Sequence, residues 1–136
     1  MKRDIGDLMD RWSIAKLKAE RIGTDENKRE YDAFHLELEA RDGINELANM
    51  LLFINGRIWK HEAGLKGSKN DMPNPHYIYD EKNKETLIKM GIICDIIRDF
   101  NHIRVSLKNY INKINGEGFQ DTKKDHLSEN NNKTQQ

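Results

Sequence analysis

Ile5-Gly6-Asp7-Leu8-Met9-Asp10-Arg11-Trp12-Ser13-Ile14-Ala15-Lys16-Leu17-Lys18-Ala19-Glu20-Arg21-Ile22 is the stretch that decides the fold. At 100° per residue, Ile5, Leu8, Trp12, Ala15, Ala19 and Ile22 share one broad face, the core stripe of an amphipathic helix. The other side carries Asp10, Ile14, Leu17 and Arg21 at helical spacing, with Ser13 beside them. A fully solvated face has no use for Ile14 and Leu17, so this stripe implies a contact with another helix or a second subunit, with Asp10 and Arg21 as rim charges. The alternative is a binding groove in which Asp10, Ser13, Lys18 and Arg21 offer hydrogen-bonding groups to a small polar ligand or a partner segment.

Working outward, Gly23 ends this helix, and Thr24 or Asp25 caps the next one, which makes the two antiparallel neighbours. No proline interrupts the chain from Arg3 to Ala63, and the pattern stays helical from Glu26 to about Ala63. Asp42-Gly43 is the weak point, where the helix kinks or splits. Unbroken, it would run roughly 55 Å, too long for one short neighbour to cover, which favours cover by a second subunit. Gly64 to Tyr79, with Pro73 and Pro75, reads as a loop; Asp80 then caps a third helix running to about Asn115, with Gly116 as its stop. From residue 117 onward the tail is polar and reads as disordered. The expectation is therefore an all-α, antiparallel bundle of three long helices forming one domain over 1–116, completed by oligomerisation as a homodimer.

On the second helix Ile44, Leu47, Ala48, Leu51, Ile58 and Trp59 form the apolar face, and Asn55 and Glu62 project into its middle. An amide and a carboxylate buried without partners would cost several kcal/mol, so each needs a donor, a water or a metal. The third helix offers a buried stripe of Ile93, Ile96, Ile97, Phe100, Ile103, Leu107, Ile111 and Ile114, bordered by Asn101 and Arg104, with Arg104 the natural partner of Glu62. One reading is a structural Glu-Arg pair and an Asn-Asn contact that fix helix register. The other is a ligand site formed with Trp59 and the polar edge of the first helix.

Acidic and basic residues number 23 each, so no global field draws the chain to nucleic acid or to a membrane. The apolar share is 36% and the charged share 34%, a lean core that fits one shared between subunits. A single cysteine, Cys94, rules out an internal disulfide and suits the cytoplasm; it reads as a core residue. The charged start at Met1-Lys2-Arg3-Asp4 is unlike a signal peptide, and no apolar run reaches the length of a membrane span.

Asp42 with Glu46, and Asp95 with Asp99, are carboxylate pairs four apart, the arrangement that could hold Mg2+ between helices. All-α nucleotide pyrophosphohydrolases use acidic helix pairs this way, with E-x-x-E and E-x-x-D signatures; here only Glu39 and Asp42 keep the three-residue step. That enzyme is the rival to a non-catalytic module without a cofactor. The five histidines lack zinc spacing, and Gly64 to Lys69 lacks the Gly-Lys-Ser order of a phosphate loop. Lys60, His61, Lys66 and Lys69 lie near Tyr77 and Tyr79 in sequence, a mix that solvates a loop or holds an anion.

Residues 5–22 resemble the opening helix of uncharacterised bacterial and phage helical families, domains of unknown function that begin G-E-L-[IL]-D-[KR]-[IL]-[ST]-I and continue I-K-x-E-R-I. Gly6, Leu8, Asp10, Arg11, Ser13, Ile14, Lys18, Glu20, Arg21 and Ile22 match, and Trp12 departs from the pattern's aliphatic residue. Ile54 to Glu62 is similar to an N-x-x-[IL]-W-x-x-E helix of related families, and Phe100 to Arg104 to their N-x-x-R segment. The resemblance implies a helical fold and singles out Asn55, Trp59, Glu62, Asn101 and Arg104; it implies no activity. The reading is a binding or interaction module.

Overall fold

The computed structural model describes residues 3–41, 43–70 and 81–116. They form four helices: α1 Ile5–Arg21, α2 Asp25–Arg41, α3 Glu46–Asn70 and α4 Lys84–Ile114, the last preceded by a 3-10 turn at Glu81–Asn83. Among the described residues no strand occurs. The expectations for Asp80, Tyr77, Tyr79 and the tail from residue 117 lie outside the described residues.

Short-range chemistry sets the boundaries. The Asp4 carboxylate accepts from the Asp7 N–H at 2.7 Å and caps α1. Gly23 takes φ +76° and donates to the Lys18 carbonyl, closing its C-terminus. Thr24, not Asp25, caps α2, its hydroxyl accepting from the Asn27 N–H at 3.1 Å.

The long second helix of the sequence reading is two helices. Gly43 sits at φ +74° and donates to the Leu38 carbonyl at 2.8 Å, a left-handed stop, and the Asn45 side chain accepts from the Ala48 N–H to start α3. Among the described residues the count is thus four helices rather than three, because Gly43 and Asn45 carry a complete stop-and-start signal. A second correction concerns Gly64 to Asn70, which continue α3 instead of forming a loop. Glycine there lowers helix propensity but removes no hydrogen bond, whereas the first proline comes only at Pro73.

Helix α1 lies at the centre and packs against α2, α3 and α4, while α3 and α4 pair as an antiparallel hairpin. The His61 ring stacks on Phe100 with centroids 6.0 Å apart, which fixes the register of that hairpin. At 1.5 Å per residue α4 is about 46 Å long and α1 about 25 Å, so the hairpin extends beyond the helix that covers it. The core gathers where all four meet: Ile5, Leu8, Met9 and Trp12 of α1, Leu38 of α2, Ala48 and Leu51 of α3, and Ile111 of α4. Ile22 at 57% exposure falls outside it. On α4 only Ile111 of the expected stripe is fully buried; Ile103 and Ile114 are half exposed, and Cys94 is exposed rather than in the core. No helix among the described residues is long and apolar enough to cross a membrane.

Candidate functional site

The two stripes of α1 serve two neighbours. Trp12, on the apolar stripe, turns to α2: its ring lies 6.5 Å from that of Tyr31 and its indole N–H donates to His35 Nδ1 at 3.2 Å. Asp10, on the polar stripe, turns to the α3–α4 hairpin and is 3% exposed.

Asp10 is the hub of a buried polar network. Asn55 of α3 spends its amide N–H groups on Asp10 Oδ1 at 2.9 Å and on Ser13 Oγ at 2.7 Å. Ser13 in turn donates to the Asp10 carbonyl at 2.7 Å. From α4, Arg104 approaches side-on, Nε to Oδ1 at 3.0 Å and Nη2 to Oδ2 at 3.2 Å, and its Nη1 donates to Asn101 Oδ1. Lys108 places Nζ 3.9 Å from Oδ2. Such bidentate pairing is the strong form of a charge-assisted bond. Among the described residues no buried side-chain nitrogen or oxygen lacks a partner.

Five residues singled out in the sequence therefore meet: Asp10, Ser13, Asn55, Asn101 and Arg104. Others do not join them. Glu62 is exposed, because α1 ends at Arg21, beside Trp59, and leaves the next turn of α3 uncovered; it does not pair with Arg104, whose guanidinium is spent on Asp10 and Asn101. Lys18 pairs with Glu30 of α2 at 3.7 Å. Arg21 lies over the Trp59 ring, 5.6 Å from its centroid, in an open groove of about 520 Å³ between α1 and α3.

Sequence reasoning missed Lys108, Asn112 and Gly6. With Arg104, Lys108 and Asn112 repeat every four residues along the side of α4 that also carries Asn101, a periodicity that marks them as one stripe. Asn112 Oδ1 accepts from the Gly6 N–H at 2.7 Å, and a Cβ on Gly6 would stand 2.5 Å from the Lys108 carbonyl. Gly6 is what lets α1 sit this close to α4.

Among the described residues, Glu46 does not share a cleft with Asp95 and Asp99. Glu46, Asp95 and Asp99 are exposed, Asp95 is engaged by Arg98 at 3.2 Å, and Asp42 lies outside the described residues. The His61–Phe100 register puts Asp95 and Asp99 beside the far half of α3, more than ~20 Å along the helix from Glu46 at its start. Among the described residues no three His, Cys, Asp or Glu side chains are grouped to hold a metal ion.

The chain matches no protein-family model, no curated protein and no solved structure.

Proposed function

We propose that the protein is a non-catalytic helical interaction module that works as a homodimer joined through α4. The observation that carries this reading is the distribution of exposed apolar side chains. Of nine large ones among the described residues, Ile88, Ile92, Ile103, Tyr110 and Ile114 all belong to α4, each at least half exposed. Their separations of 4, 11, 7 and 4 are close to whole helical turns, so they line one stripe about 39 Å long. Single exposed apolar residues need no explanation; an aligned row marks a surface made for contact.

The Asp10 network supports the reading from the other side of α4. Arg104, Lys108 and Asn112 turn toward α1, anchoring α4 on its inner side and leaving the apolar row outward. The polar residues that could have served a reaction are occupied as one another's partners, which favours a structural role for them over a catalytic one.

Sedimentation equilibrium of the full chain tests the proposal. A mass twice that of the chain is expected, falling to a monomer in Ile103→Lys and in Tyr110→Lys with helical circular dichroism unchanged. A wild-type protein that stays monomeric at millimolar concentration contradicts it.

A further inference from the structure

We infer that the groove between α1 and α3 receives an acidic amphipathic helix of another protein. Its floor is apolar, with Leu17 and Leu52 flanking Gly56, and Phe53 stands at its edge, 65% exposed. Its rim carries three cations, Arg21, Arg57 and Lys60. Contact with the Trp59 ring holds the Arg21 guanidinium in place without neutralising it. Among the described residues no carboxylate pairs with Arg21, Arg57 or Lys60, and the acid at the rim, Glu20, is engaged by Lys16 at 2.8 Å. The groove therefore presents net positive charge around an apolar floor.

Shape selects a helix over a compact ligand. Its lining on α3 runs from Leu52 to Ala63, about 16 Å or three helical turns, and α1 walls it from Leu17 to Arg21, as far as Trp59. It is open along this length, whereas a small-molecule site encloses most of its ligand. A helix laid in it would seat side chains at i, i+3, i+4 and i+7 on the floor and set flanking carboxylates against the three cations. This surface is separate from the α4 row, so binding and self-association are independent.

The test uses the full chain and a fluorescein-labelled model helix about four turns long, with leucines at i, i+3, i+4 and i+7 flanked by glutamates. Saturable binding by anisotropy is expected, weakened by added salt and by ~tenfold or more in Arg21→Glu and in Lys60→Glu. Both residues are exposed, and an unchanged circular dichroism spectrum confirms that the variants fold. In the wild type, a lysine-flanked version of the helix should bind at least ~tenfold more weakly. Absence of binding overturns the inference, as does equal affinity for the two peptides. Binding of laurate lost in Arg21→Glu, with none of the acidic peptide, assigns the groove to an anionic lipid instead and equally overturns it. Retention of peptide binding in Ile103→Lys separates this surface from the dimer contact.

Discussion

Helix α1 meets its neighbours through two unlike seams. Toward α2 it presents Trp12, whose ring packs near Tyr31 and whose indole nitrogen finds His35. Toward α3 and α4 it presents a carboxylate with two cations, an amide and a hydroxyl around it. The first seam is held by area and shape, which are forgiving: an apolar side chain gains most of its burial energy in several positions. The second is held by directed bonds, and it tolerates one alignment. A one-residue slip of α4 would carry Arg104 about 100° around its helix and away from Asp10. The polar seam therefore fixes register, while the apolar seam supplies adhesion.

Substitutions put this contrast to the test. The largest effect is expected for Asp10→Ala, which takes the carboxylate from buried Lys108 and half-buried Arg104 and should cost about 3–5 kcal/mol. Leu8→Met on the same helix, keeping volume, should cost less than ~1.5 kcal/mol. Urea unfolding measures both, and equal costs would deny the directed bonds of Asp10 any greater weight than packing in the shared core.

Gly6→Ala comes next, at about 1–3 kcal/mol, since its Cβ would meet the Lys108 carbonyl at 2.5 Å and Asn112 Oδ1 at 2.8 Å. Gly56→Ala is its control. There the added atom meets Arg21 and Leu17 at 3.7 and 3.8 Å, ordinary contact, and helix propensity should stabilise the chain by ~0.5–1 kcal/mol. Trp12→Phe keeps most of the apolar seam and loses one hydrogen bond, an expected cost of about 1 kcal/mol.

The smallest effect is a pH dependence at the edge of α1. The hydrogen bond from Lys16 to Glu20, and the charge of that carboxylate, raise the lysine above its ordinary 10.5, against a lesser opposing push from burial. A cation held above its unfolded value contributes stability that is complete below pH 10.5 and fades as pH rises through the raised value. Lys16→Met should remove that alkaline loss, seen as a flatter stability profile above pH 10; at a solvent-exposed pair the difference should stay under ~1 kcal/mol.

Much of this was legible in the sequence, for reasons that differ by residue. Periodicity placed Asp10 and Ser13 opposite the apolar stripe of α1 and dropped Asn55 into an apolar face, and burial of polar groups demands partners. The identity of the partners was less legible, because projection onto a helix shows direction but not where the covering helix ends. Glu62 shares the side of α3 that carries Asn55, yet α1 stops before reaching it. Ile103 and Ile114 share the apolar side of α4 with Ile111, yet only Ile111 is fully covered. Gly43 in the sequence suits a kink as well as a break, and its left-handed stop together with the capping by Asn45 decides for a break. Gly6 gave no periodic signal, since its role is the absence of a side chain at a close approach.

The central claim is that Asp10 and Arg104 act as a unit joining α1 to α4, and a double-mutant cycle of Asp10→Asn with Arg104→Met, read by equilibrium unfolding, tests it most directly. A coupling of about 1.5 kcal/mol or more is expected, the double variant losing far less than the sum of the singles. Additivity within ~0.5 kcal/mol would contradict it.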